Sequence, residues 1–202
     1  MKTSKLIVRS LAALFMLAAS GEAATLFDTT STLLGTDPTQ LGRLSRTNIP
    51  SDWSATKAFP GLVNTSTSYH YQTFTVNAGL TPYIQVSIDD PGARLFTAAY
   101  LNSYNPASQS TNYLGDAGFS GNPFGNPNFF QVVVPVNQDV VIVVEDTTTG
   151  SGGVGQTFGL LVEGFLDTNY TEPTTVPEPS TVLIGGAGLL FVAARRLRRP
   201  RA

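Results

Sequence analysis

The chain contains no cysteine. That excludes a disulfide framework, thiolate zinc sites, thioredoxin-like redox chemistry and a cysteine nucleophile. Histidine occurs once, at His70, inside a stretch that alternates as a strand. Ser-His-Asp catalysis would need that one ring oriented by an acid and set beside an exposed serine. The segment Gly118-Phe119-Ser120-Gly121-Asn122 only superficially resembles a nucleophile elbow, because its fifth residue is not glycine and no strand-to-helix turn is expected there. A triad is therefore rejected. Charge is scarce as well, at 13% of residues. Basic residues almost vanish from the middle: between Thr25 and Glu172 only Arg43, Arg46, Lys57 and Arg94 stand against twelve acids, a balance of about −8. An acidic surface without a basic stripe argues against nucleic acid or anionic lipid as partner. It favours solubility.

The remaining basic residues lie at the two ends. Lys2, Lys5 and Arg9 precede an apolar stretch over residues 11–19, and small residues at Gly21 and Ala23 frame a cleavage site after Ala23, with Ser20 as a second choice. This is the pattern of a secretory signal peptide over residues 1–23. The other end reads Val176-Pro177-Glu178-Pro179-Ser180, then fourteen mostly apolar residues over 181–194, then Arg195, Arg196, Arg198, Arg199 and Arg201. The two prolines fix φ and remove two N–H donors, which leaves a stiff, extended, accessible peptide. Fourteen helical residues rise roughly 21 Å against a hydrocarbon core of about 30 Å. Snorkelling arginines and local thinning close part of that gap, and a block of arginine beside an apolar helix stays in the cytoplasm.

This tail resembles the PEP-CTERM sorting signal of Gram-negative bacteria, in which motif, span and basic end follow in the same order. The resemblance implies recognition of Pro177, Glu178 and Pro179 by an exosortase, a membrane enzyme that removes the tail. Arg195, Arg196, Arg198, Arg199 and Arg201 would form the cytoplasmic anchor, and the span would be a transient inner-membrane anchor. It also implies association with the envelope or extracellular polysaccharide, with a final place at the cell surface or outside the cell.

Between these ends, residues 24–166 are expected to form one domain and 167–175 a polar linker to the 176–202 sorting segment. A chain of this size can bury about 70% of its unfolded surface, enough for one core without staples. Residues 69–76 alternate, with His70, Gln72, Phe74 and Val76 on one face and Tyr69, Tyr71, Thr73 and Thr75 on the other. Residues 81–89 repeat the pattern through Ile84, Val86 and Ile88, and 94–101 make a third strand. Residues 129–136 return to strand. The nearly continuous β-branched run at 140–144 reads as a strand buried on both faces, and 156–166 as the last strand, with Phe158, Leu160 and Val162 inward. Two short strands are expected within residues 25–62. Residues 103–128, rich in Asn, Ser, Gly and Pro, read as one long irregular loop. The fold class is all-β: an antiparallel, jelly-roll-like β-sandwich flanked by an N-terminal signal helix and a C-terminal transmembrane helix.

The middle is also similar to secreted bacterial pre-peptidase C-terminal modules. The likeness rests on Tyr71-Gln72-Thr73-Phe74-Thr75-Val76, on the Ala99 to Pro106 and Asn112 to Gly118 segments and on the strand set over 130–165. Such modules often carry loop cysteines, absent here. The resemblance implies a supporting or binding domain with no catalytic residues to transfer.

Three functions are weighed on this basis, and the third, a hydrolase, is set aside because no nucleophile, base and orienter can be assembled. The first is a non-catalytic surface or matrix protein. The second is a carbohydrate-binding module using Tyr104, Tyr113 and Phe119 of the long loop, with Tyr100 and Trp53 as further ring faces; its counterpart is that these rings simply close the open end of the sandwich. No catalytic residue, metal site or cofactor is expected. Asp89, Asp90, Asp116 and Asp146 have the oxygen chemistry of calcium ligands, but such turn acids are expected to be solvated. The acid pairs Asp89-Asp90 and Glu145-Asp146 are poorly placed for glycosidase work, because neighbours on a strand point to opposite faces.

Overall fold

The computed structural model describes residues 23–122 and 127–168. The chain divides into two compact units, Met1–Tyr170 and Thr171–Ala202, and all described residues belong to the first. The expected signal helix, linker end, sorting motif, transmembrane helix and arginine cluster lie outside the described residues. Among the described residues no helix is long and apolar enough to cross a membrane.

Nine strands follow in order: β1 (Ala24–Thr32), β2 (Thr39–Leu44), β3 (Leu62–Asn77), β4 (Tyr83–Asp89), β5 (Leu95–Leu101), β6 (Tyr113–Asp116), β7 (Asn128–Val133), β8 (Asp139–Asp146) and β9 (Thr157–Phe165). They form two antiparallel sheets, ordered β1-β9-β4-β7 and β2-β3-β8-β5-β6. The chain changes sheet at six of its eight strand connections, staying in one sheet only at β2–β3 and β5–β6. The expected strand set is present, with two departures. β3 begins well before the alternating stretch, at Leu62. And the long loop is not wholly irregular: β6 lies inside it, pairing with Ala98, Ala99 and Tyr100 of β5.

Alternation decides what each strand buries. Ile84, Val86 and Ile88 of β4 and Phe158, Leu160 and Val162 of β9 all turn inward and are buried. Phe74 of β3 meets Phe27 and Phe158 of the opposite sheet, with ring centroids 5.8 and 6.1 Å apart, which identifies the inter-sheet face of β3. Each fully buried side chain of this kind stabilises the fold by about 1.5–3 kcal/mol. β8 is the central strand of the second sheet, and every residue after Asp139 is buried. One of its faces meets the first sheet. The other is covered by the connections that cross the outside of the sheet.

On one side of the sandwich a single residue bridges the two sheets. Ser51 donates its N–H to Asp116 O of β6 (3.0 Å) and accepts from Gln131 N of β7 (2.9 Å), joining the edge of one sheet to the edge of the other. Gly115 makes the close approach feasible: a Cβ there would fall on Ser51 Oγ and come within 2.8 Å of Val132 Cγ1.

Candidate functional site: a buried acid beneath a tyrosine layer

Residues directly opposite one another in a sheet share a face. Phe74 pairs with Ile142 on the inter-sheet face, so Tyr71, which pairs with Glu145, and Tyr100, which pairs with Val141, lie on the outer face. Glu145 is thus an acid at the end of an apolar strand, on the outward face yet only 2% exposed. Its Oε1 accepts the Leu44 N–H at 3.0 Å, and its Oε2 accepts from Gln40 Nε2. Both donors come from β2, whose register shifts between Leu41 and Arg43. Gly42 sits at that shift with φ of 73°, a conformation that glycine adopts without strain. The Gly42 carbonyl then accepts Gln109 Nε2 at 3.3 Å, while Gln109 also reaches Leu41 O at 3.1 Å. Tyr104 completes the cluster by donating its hydroxyl to Gln40 Oε1. Burial pushes the Glu145 carboxyl up to about 8, against the opposing pull of the Leu44 N–H, Arg43 and Gln40.

A chain of rings lies over this acid. Tyr71 meets Tyr104 at 5.4 Å, Tyr104 meets Tyr100 at 4.6 Å, Tyr100 meets Tyr113 at 5.9 Å, and Tyr113 meets Phe59 at 5.3 Å, mostly edge to face. Burial, with the nearby carboxylates, raises the Tyr100, Tyr104 and Tyr113 hydroxyls, so they stay protonated. Tyr113 donates to Asp116 Oδ2. Two of the three expected ligand-loop rings, Tyr104 and Tyr113, are therefore stacked and hydrogen-bonded within this layer rather than presented around a concave site. Phe119 is half-buried, and its carbonyl accepts from Asn128 Nδ2 at 3.2 Å. Trp53 packs against Tyr83 and Phe165 on the other sheet and donates to Ile84 O at 3.3 Å. The Tyr100 hydroxyl is buried with no hydrogen-bond partner among the described residues. Replacing Tyr100 by Phe is expected to leave stability unchanged or raise it by about 1 kcal/mol, because no hydrogen bond is lost and a desolvated oxygen is removed; a urea midpoint checks this.

Beside the layer is an open cleft of about 630 Å³, lined by Gln40, Leu41, Phe59, Leu62 and residues 106–110. Its size falls in the usual range for small-ligand sites, ~300–1,000 Å³. Gln40 and Gln109 form its polar side but spend their amides on each other and on the β2 backbone.

The turn acids correct an expectation. Only Asp89 is exposed; Asp90, Asp116 and Asp146 are fully buried. The reason is that each terminates loop backbone. Asp90 Oδ2 accepts Arg94 N and Leu95 N at 2.9 and 2.8 Å, Asp116 Oδ1 accepts Gly118 N at 2.7 Å, and Asp146 Oδ1 accepts Thr148 N and Gly153 N at 2.8 and 3.0 Å. Lys57 Nζ pairs with Asp116 Oδ1 at 2.5 Å. Glu145 and Asp146 do point to opposite faces. Among the described residues no group of three or more acids, histidines or cysteines is arranged to hold a metal. His70 has its Nδ1 3.0 Å from Asp37 O, and Ser120 Oγ takes a bond from Arg46 Nη1 at 3.0 Å, so these two side chains are not brought together.

The described residues thus define an all-β protein of two antiparallel sheets, whose buried carboxylates each accept loop or strand donors. The sharper signal comes from the tail. The family described as the PEP-CTERM protein-sorting motif matches residues 175–199. That range includes Pro177, Glu178, Pro179, Arg195, Arg196, Arg198 and Arg199, and leaves Arg201 outside. The motif marks an exported protein with a C-terminal sorting signal and implies processing by an exosortase. No curated protein and no solved structure matches the chain. The likeness to pre-peptidase C-terminal modules is not confirmed by these comparisons.

Proposed function

We propose that the protein is a non-catalytic, jelly-roll-like sandwich delivered to the cell surface or the extracellular polysaccharide matrix. The observation that carries this reading is the sorting motif over residues 175–199. In this reading the signal peptide exports the chain, and residues 181–194 with the arginine cluster hold it in the inner membrane. An exosortase-type enzyme then removes the tail at Pro177-Glu178-Pro179. The state of two of the acids argues against one alternative, glycoside hydrolysis through them. Glycoside hydrolysis needs two carboxyls flanking an open site, whereas Glu145 and Asp116 are both buried and committed to neighbours.

Intact mass of the protein from cells and medium tests the reading. The wild-type product is expected to end near Glu178, and the Pro177→Ala/Pro179→Ala variant to keep its tail. Retention of Arg195 to Arg201 in both would mean a permanent anchor and move the function to the membrane.

A second reading, carbohydrate binding, is favoured by the cleft rather than by the ring layer. Apolar Leu41, Phe59 and Leu62 beside amides and the hydroxyls of Ser108 and Ser110 suit a sugar with one apolar face. Glycan titration calorimetry separates the two readings, and loss of binding on Leu41→Asp would place the sugar in the cleft.

A further inference from the structure

Two buried carboxylates at one end of the sandwich are each left half-satisfied. Asp90, in the β4–β5 turn, uses Oδ2 for two backbone N–H groups, while its Oδ1 is buried without a partner among the described residues. Asp146, at the end of β8, uses Oδ1 for Thr148 and Gly153, while its Oδ2 is buried and equally unpartnered. A buried carboxylate oxygen lacking a donor is costly, and such an atom in a native fold calls for a water, a proton or an ion. Protein cations do not serve here: Arg94 Nη1 is turned to Gly152 O at 3.1 Å.

A run of hydrogen bonds and one strand pair connects the two acids. Asp90 Oδ2 holds Leu95 N, and Leu95 is the register partner of Asp146. Asp146 Oδ1 holds Gly153 N, and Gly153 O accepts Gln156 N at 3.0 Å. Gln156 then returns to the start. A Cβ on Gly92 would overlap Gln156 Oε1 and lie 3.3 Å from Asp90 Oδ1, so those two oxygens are at most about 5 Å apart, or about twice a Ca–O bond of ~2.4 Å. The glycine keeps that space free of carbon.

We propose that this end of the sandwich binds one calcium ion through Asp90 Oδ1, Asp146 Oδ2 and Gln156 Oε1, with loop carbonyls and water completing the shell. The donors are all oxygen, which selects a hard cation over zinc or copper. Two carboxylates and an amide suit the flexible six- to eight-oxygen shell of calcium better than the rigid octahedron of magnesium. The expected affinity is that of an extracellular module, with Kd of ~10⁻⁴–10⁻³ M. This site is independent of both functional readings above.

The test uses the full chain in detergent, stripped of divalent ions by chelator. Calcium titration calorimetry is expected to show one site, and Tm to rise by about 3–5 °C at a tenfold excess over Kd. Asp90→Asn and Asp146→Asn should each weaken calcium binding at least about tenfold. Gln156→Ala, at a half-exposed loop position, should weaken it less and leave the calcium-free Tm unchanged; it decides the matter if the acid variants do not fold. No heat and no Tm shift in wild type, an equal response to magnesium, or wild-type affinity in Asp146→Asn or Gln156→Ala would overturn the shared site.

Discussion

Raising the pH from about 5 to about 9 is expected to destabilise the protein, and Glu145→Gln is expected to remove much of that dependence. Burial pushes the Glu145 carboxyl up to about 8 in the fold, from an ordinary value of 4.5 when it is exposed in the unfolded chain. Between those values the native state holds a proton that the unfolded state has lost. Stability therefore falls with rising pH across that window, because the unfolded state binds fewer protons. The contribution is fully present below about 4.5 and is gone once pH passes about 8. At about 1.4 kcal/mol per pKa unit, the loss is on the order of a few kcal/mol. Gln has nearly the shape of the protonated acid and cannot ionise, so its curve lacks this titration. The difference between the wild-type and variant curves of unfolding free energy against pH isolates the group from all others that titrate. Parallel curves would mean that Glu145 is ionised throughout, held by Arg43 and its two donors.

The second large effect is expected at Lys57. Its ammonium lies 2.5 Å from Asp116 Oδ1 and 2.5 Å from the Ile49 carbonyl, and its side chain is 14% exposed while that of Asp116 is 0%. Lys57→Met keeps the length of the side chain but leaves a buried carboxylate with only the Tyr113 hydroxyl and backbone donors. Breaking one half of a buried pair costs about 3–5 kcal/mol, because the surviving charge has been dehydrated without compensation. Urea unfolding at neutral pH should show it as a lowered midpoint with an unchanged slope. Adding Asp116→Asn to Lys57→Met should recover most of the loss, which packing alone would not predict. A double variant no better than the single one would locate the cost in lost contacts of the lysine stem instead.

Strand positions were legible in the sequence because their periodicity is local. Ile84, Val86 and Ile88, or Phe158, Leu160 and Val162, announce their inward face without reference to the rest of the chain. β8 was legible for the same reason, as a continuous β-branched run. β6 was not. Four residues that include Gly115 and Asp116 carry no strand signal of their own, and only the pairing with Ala98 to Tyr100 makes them one. The burial of Asp90, Asp116 and Asp146 was missed because burial depends on what covers the loops, although an Asp two residues before an N–H, as at Asp116 and Asp146, is a local pattern. The acid site was hidden most completely. Glu145 stood out only as a charge ending an apolar strand, and its partner Gln40 lies 105 residues away. The aromatic loop was recognised as rich in rings, but whether those rings face a ligand or one another is decided by the fold.

The bridge made by Ser51 bears on how such a chain behaves in a crowd. Unpaired strand edges are where copies of a β domain can zip together. On the β6–β7 flank the edge groups of Asp116 and Gln131 are already taken by one loop residue. A neighbour cannot add a strand there without first displacing that loop. At that point of the rim both sheet edges are already occupied, which makes the β6–β7 flank a poorer place for a neighbour's strand to start pairing.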